Sequence, residues 1–318
     1  MANVLVYGSG AIGSLVGYLL SEIDKLEDKA IENVGLLGRI GHIQKVRERG
    51  LRINFFEGPR TFNFKHCFSS LNELDRSDFY PDIVLVCVKT HSLPKVRHEI
   101  IESGMLSGKL NDSRFILLMN GMGNVETFNL PANTFEGVTS NGVKFSEDGL
   151  IEFKGKGKTV VEDGVPGEIK QFMKARFEEK GFEIEFTSDF KNDQWNKLFA
   201  NAVINPITAI TREKNGIVLS KHLEGTVERI IDECFAVAEK EGLNLDKSEV
   251  LNFVYSVARK TSMNTSSMLQ DVLKGRKTEI DSINGYVVRL AKKHAISVPV
   301  NETLYALVKS IEKNDISD

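Results

Sequence analysis

Val4-Leu5-Val6-Tyr7-Gly8-Ser9-Gly10-Ala11-Ile12-Gly13-Ser14-Leu15-Val16-Gly17 stands at the start of the chain, and its reading decides the fold. A short β-branched and aromatic run leads straight into G-x-G-x-x-G, after which small and apolar residues continue with helical rather than alternating character. Strand, glycine loop and helix in that order give the motif a physical meaning. Gly8 permits the tight turn, Gly10 lets the backbone approach a pyrophosphate, and Gly13 allows the helix to pack closely on the strand. Ser9, Ala11 and Ile12 complete a loop whose N–H groups, at the positive end of the helix dipole, suit phosphate oxygens. A purely structural turn is the plainer reading of any glycine-rich loop. Its place between strand and helix favours dinucleotide binding. The expected class is α/β, with a Rossmann-type doubly wound sheet over residues 1–188 and an all-helical substrate-binding and catalytic domain over 189–318.

Outward from this loop, a second strand is expected over residues 33–38, ending at Arg39. NAD-specific sites place a carboxylate at such a strand end for the ribose 2′-hydroxyl. A guanidinium there instead suits a 2′-phosphate, which it can bind in a bidentate fashion, and so favours NADP. A solvated loop cation is the alternative reading of Arg39. The charged stretch 24–29 reads as a helix-end extension that lengthens the spacing from Gly13. Residues 82–88 form a continuous apolar run, as expected of a central parallel strand buried on both faces, and end at Lys89-Thr90. Residues 115–119 form the next, ending at Asn120-Gly121-Met122-Gly123. Polar residues just after such strands are candidate cofactor contacts, although ordinary turn chemistry explains Asn-Gly equally well. Residues 138–143 and 155–160 read as later, hairpin-type strands. The second of them lacks the P-loop spacing and reads as a basic β-turn.

After about residue 189 helical periodicity takes over. In residues 193–206, Lys197, Asn201 and Asn205 fall at i, i+4 and i+8, so one helix face presents an ammonium and two carboxamides. Trp195, Leu198, Phe199, Val203 and Ile204 surround them and predict a largely buried helix, which Pro206 is expected to interrupt or kink. A lone lysine on a helix is usually solvated. Here apolar surroundings can lower its pKa towards a range useful for proton transfer. Farther on, Ser266, Ser267, Thr278 and Asp281 read locally as helix caps. Residues 283–293 and 299–311 read as amphipathic helices.

Composition narrows the class of function. The 318 residues exceed one typical domain, and 41% hydrophobic with 27% charged residues is ordinary for a soluble protein. A net charge of −3 gives no reason to expect a nucleic-acid or membrane-surface partner. Cys67, Cys87 and Cys234 lie far apart and form neither a CxxC pair nor a disulfide framework, so no metal site is expected and a reducing compartment is. The start of the chain lacks a signal-peptide pattern and no apolar run reaches bilayer length, so a cytoplasmic protein is expected.

Taken together, these segments resemble the ketopantoate reductase (2-dehydropantoate 2-reductase) family along nearly the whole chain. The resemblance rests on GSGAIGS at 8–14, on Arg39 with His42 and Gly50-Leu51, on CVKT at 87–90 and on NGMG at 120–123. WNKLFANAVINPITAI at 195–210 and SSMLQDVLKGRKTEIDSING at 266–285 are its long, specific parts. It implies NADPH-dependent reduction of ketopantoate to (R)-pantoate, on the route to pantothenate and coenzyme A. Lys197 then resembles the family's general acid, and Asn201, Asn205 and Asn215 its substrate amides. Ser267 resembles the substrate carboxylate contact, and Glu279 a residue near the nicotinamide ribose. Arg39 and Lys89 look like the pair that holds the 2′-phosphate. Asn120 matches the meeting point of cofactor and substrate, and Gly142 a cofactor contact. A homodimer is a further expectation. Met119 departs from the family, many members of which carry Gln there. A reductase of another branched 2-keto acid and a catalytically silent NADP sensor share the same layout.

Overall fold

The computed structural model describes residues 2–22, 30–130 and 133–312. The strands are β1 (Val4–Tyr7), β2 (Ile31–Leu37), β3 (Leu51–Phe55), β4 (Gly58–Phe62), β5 (Phe64–Phe68) and β6 (Ile83–Val86). They continue with β7 (Arg114–Leu118), β8 (Thr134–Thr139), β9 (Gly142–Glu147), β10 (Leu150–Gly155), β11 (Lys158–Glu162) and β12 (Glu183–Thr187). The helices of the first half are α1 (Ala11–Leu20), α2 (Ile40–Arg49), α3 (Leu71–Asp75), α4 (Leu93–Glu102), α5 (Asn124–Phe128) and α6 (Gly167–Glu179). Those of the second are α7 (Phe190–Thr211), α8 (Glu224–Lys240), α9 (Lys247–Lys260), α10 (Ser267–Leu273), α11 (Asn284–Lys293) and α12 (Pro299–Ile311).

The chain divides into two compact units. One comprises Met1–Asn120 with Asn124–Phe190, and the other Gly121–Gly123 with Lys191–Asp318. In the first, an eight-stranded sheet runs in the order β12-β11-β8-β7-β6-β1-β2-β5. The neighbours from β8 through β5 are parallel, whereas β11 meets β8 antiparallel. Helices on both faces explain why the strands are apolar throughout. Along β1, Val4 and Val6 join one core with Leu36, Leu85 and Ile116. Leu5 and Tyr7 join the other with Val84, Val86 and Leu117.

A second sheet, β4-β3-β10-β9, is absent from the reading of the sequence. Its Leu51, Ile53, Ile151 and Phe153 share a core with Leu15 and Leu19 of α1. It corrects the reading of two segments. Residues 138–143 are the end of β8 and the start of β9, which belong to different sheets. Residues 155–160 likewise pass from β10 in the second sheet to β11 in the first. The ends of the two segments do pair antiparallel, Val138 with Val160 and Thr139 with Thr159, and the β9–β10 hairpin lies between them. The stretch 24–29 lies outside the described residues.

The second unit is helical around α7, whose Trp195 and Phe199 are fully buried in its core. Pro206 does not end this helix, which continues to Thr211. A proline at 206 cannot donate to the carbonyl of Ala202. The Asn284 side chain of α11 donates to that carbonyl instead, at 3.0 Å. Among the described residues no helix is long and apolar enough to cross a membrane.

Candidate active site

In the first unit the register lines up the ends of adjacent strands. Tyr7 lies opposite Leu37 and Val86, Val86 opposite Leu117, and Leu118 opposite Gly137. The loops after β2, β1, β6, β7 and β8 therefore leave from one edge of the sheet. They carry Arg39, Gly8–Gly13, Lys89 and Asn120, and the last leads into Gly142 at the start of β9. The order turns around β1, which has β2 on one side and β6 on the other, and ligands of doubly wound sheets bind at such a switch point.

The loop itself fits a pyrophosphate. Gly8 has φ +101°, and a Cβ on Gly13 would lie 2.2 Å from the Gly8 carbonyl oxygen, so both positions require glycine. A Cβ on Gly10 would meet nothing within 4 Å, which leaves open space in front of the loop. No side chain caps α1, so the N–H groups of Ala11, Ile12 and Gly13 point out of the helix end. Ser9 Oγ is buried without a hydrogen-bond partner among the described residues. Arg39 is exposed at the start of α2, its guanidinium 5.2 Å from the centre of the Phe145 ring. Lys89 opens the 3-10 turn Thr90–Ser92.

In the second unit, α7 presents Lys197, Asn201 and Asn205 in a row. Lys197 is partly buried, and its pKa is lowered from 10.5 to about 8 because burial disfavours the ammonium, while the Glu279 carboxylate pulls it back up. Asn205 is 5% exposed. Among the described residues the carboxamides of Asn201 and Asn205 have no hydrogen-bond partner. Each carboxamide has donors and an acceptor to offer, so this face suits a polar ligand. Ser266 is the cap of α10, accepting from Leu269 N at 3.0 Å, which leaves the exposed Ser267 hydroxyl for other use. Asn215 donates to Thr261 Oγ1 at 3.0 Å, and its Oδ1 is buried with no partner among the described residues. Met122 enters the helical core from the NGMG turn. Beside it, a Cβ on Gly121 would come within 2.3 Å of Ser282 Oγ, so the turn needs glycine there too.

Several residues that build this site gave no functional signal in the sequence. Glu312 accepts from Thr278 N and Oγ1, at 2.8 and 2.6 Å, and Asp281 is held by Tyr305 at 2.9 Å and Lys309 at 3.3 Å. Helix α12 thus fixes the segment that carries Glu279. Thr278 Oγ1 does accept from Ile280 N, at 3.2 Å, as a local cap. The partners lie more than twenty residues away in sequence, where no spacing rule reaches. His42 was visible only as part of a pattern.

The fold and the two residue sets define a dinucleotide-dependent oxidoreductase. Residues 4–165 match the family model described as ketopantoate reductase PanE/ApbA, and residues 189–312 match that of its C-terminal part. The chain is 32% identical over 316 residues to 2-dehydropantoate 2-reductase of Pyrococcus horikoshii, covering 98% of this chain and 97% of that protein. It is 30% identical to the protein of the same name from Vibrio cholerae, covering 98% of both. The ketopantoate reductase structure from Ralstonia eutropha JMP134 superposes with a TM-score of 0.84 at 26% identity, covering 98% of each chain. A D-mandelate dehydrogenase, solved with NADH and anilino(oxo)acetate, shares the fold at a TM-score of 0.84, 23% identity and 98% coverage of each chain. The chain belongs to the ketopantoate reductase family, whose members are NADP-dependent oxidoreductases.

Proposed function

We propose that the protein reduces 2-dehydropantoate to (R)-pantoate with NADPH, in the cytoplasm, as a step towards pantothenate and coenzyme A. NADPH supplies the hydride that adds to the C2 carbonyl carbon. The first unit is the cofactor domain. Its 8–13 loop cradles the pyrophosphate through backbone N–H groups, and Arg39 and Lys89 hold the 2′-phosphate. Asn120 and Gly142 follow further strand ends on the same edge, and Glu279 serves the nicotinamide ribose. The second unit is the substrate domain. Lys197, as the ammonium, polarises the ketone and donates its proton to the developing alkoxide. Asn201, Asn205 and Asn215 orient the substrate, and the Ser267 hydroxyl binds its carboxylate.

The observation that carries this reading is the row on α7. A lysine with its pKa lowered to about 8 shares a helix face with carboxamides that have no hydrogen-bond partner among the described residues. The test is initial-rate kinetics with ketopantoate on the parent and on Lys197→Ala, with NADPH and with NADH. Turnover by Lys197→Ala within a few-fold of the parent would overturn the role of proton donor.

Met119, in place of the family's common Gln, favours a second reading, a reductase of another branched 2-keto acid. A panel of 2-keto acids with NADPH decides between them. Tight NADPH binding with no reduction of any keto acid would instead identify a sensor. The homodimer of the resemblance is checked by sedimentation.

A further inference from the structure

A hydrogen-bond chain within the first unit runs from the β9–β10 turn to the glycine loop. The N–H of Gly149, which has φ +81°, donates to His42 Nδ1 at 3.0 Å. That nitrogen must therefore be the unprotonated one, and the ring proton sits on Nε2. Nε2 lies 3.3 Å from Ser14 Oγ, whose own proton goes to the Ser9 carbonyl at 3.0 Å. Each donor has one acceptor, so the direction is fixed from end to end. His42 is 1% exposed, and its ring packs 5.1 Å from that of Phe145, which also shelves the Arg39 guanidinium. Three separate elements, the hairpin turn, the start of α2 and the start of α1, are thus tied at one imidazole.

We infer that His42 is a positioning residue for the cofactor: through Ser14 it holds the Ser9 carbonyl, and so keeps the N–H groups of the glycine loop aimed at the pyrophosphate. The second sheet thereby acquires a role, since its β9–β10 turn supplies the anchor for a loop on the other sheet. The chain is complete only with a neutral ring, because a proton on Nδ1 would face the Gly149 N–H. Burial pushes the His42 pKa down from 6.5 to about 4, against the Asp148 carboxylate and with help from the Arg39 cation. The link therefore persists at neutral pH. The inference rests on the dinucleotide reading of the loop, and its test separates the two.

The experiment uses the full chain with His42→Leu, His42→Gln, Ser14→Ala and the His42→Leu/Ser14→Ala double variant. Gln can accept from Gly149 with Oε1 and donate to Ser14 with Nε2, so it is the rescue. NADPH affinity is measured by calorimetry without keto acid, and amide exchange is followed at Gly10 and Ser14. His42→Leu and Ser14→Ala should each weaken NADPH binding by about tenfold, about 1.4 kcal/mol, as expected for one buried hydrogen bond. The double variant should lose little more than either alone, and His42→Gln should recover most of the affinity. Exchange at Gly10 and Ser14 should quicken in His42→Leu. Additive losses, no rescue by Gln, or unchanged exchange would overturn the proposal. A parent that binds no NADPH would overturn the dinucleotide reading, while the exchange measurement would still report on the link.

Discussion

Thr208 Oγ1 and Ser266 Oγ lie 2.6 Å apart, joining α7 to α10. The Thr208 hydroxyl also reaches back to the carbonyls of Ile204 and Asn205, at 2.8 and 3.0 Å, while Ser266 accepts from Leu269 N. One buried pair thus registers the polar row of α7 against the helix whose first residue is Ser267. Ser266→Ala should cost about 1 kcal/mol through loss of the cap and lower Tm. Ser267→Ala should leave Tm unchanged and raise KM for the keto acid. Thermal melts and kinetics on the two variants check this, and a reversed outcome would reassign the two serines.

The proton balance of Lys197 predicts a pH profile. Reduction needs the ammonium, which is fully present below about pH 8 and lost as the pH rises through it. kcat/KM for reduction should be flat on the acid side and fall about tenfold per unit above that point. Oxidation of the hydroxy acid needs the neutral amine and should rise through the same point. Initial rates in both directions from about pH 6 to about pH 10 test the pairing. Lys197→Ala should lower kcat for reduction by about a hundredfold or more.

Burial of the same lysine also predicts a stability effect. Its folded pKa lies below the ordinary value of 10.5, so the unfolded chain binds more protons between about 8 and 10.5. Stability contributed at this position therefore rises with pH across that window and is lowest below it. Lys197→Met should raise Tm at pH 7, and the gain should vanish above the ordinary lysine value. A Tm gain independent of pH would show that the charge is not its cause.

The two inner glycines of the loop should respond differently to an added methyl. At Gly13 a Cβ would overlap the Gly8 carbonyl, so Gly13→Ala should lower Tm and NADPH affinity together. At Gly10 it would meet only open space, so Gly10→Ala should fold with an unchanged Tm and bind NADPH at least about tenfold more weakly. Melts and calorimetry on the two proteins distinguish a packing role from a ligand-contact role.

Arg39 should set the choice between nucleotides. Removing its guanidinium in Arg39→Ala should weaken NADPH by about tenfold to a hundredfold, as for a charge-assisted hydrogen bond, and leave NADH nearly unchanged. Equal effects on both would mean that it does not contact the 2′-phosphate.

The sequence made some parts of the molecule plain for physical reasons. Residues 83–86 read as a central strand because both of their faces are buried, which demands an unbroken apolar run. The row on α7 was legible because helix geometry alone puts Lys197, Asn201 and Asn205 on one face. The second sheet was not legible. Its strand β4 is mostly exposed and carries no clear alternation, and β10 pairs with β3 across about a hundred residues of chain. The continuation of α7 past Pro206 was hidden for a related reason. The group that replaces its missing N–H is Asn284, and nothing local announces a partner so far along the chain. His42, Glu312 and Thr208 act through contacts of the same long-range kind.

The bond from Asn284 to the Ala202 carbonyl also constrains how this sequence can change. With any residue but proline at 206, a backbone N–H would serve that carbonyl, and the demand on Asn284 would relax. With proline in place, losing the Asn284 amide strands a buried oxygen inside the helix that carries Lys197. The two positions form an epistatic pair with a preferred order of substitution, in which relinquishing Pro206 first leaves Asn284 answerable only to its second bond, to Asn301 Oδ1 at 2.9 Å.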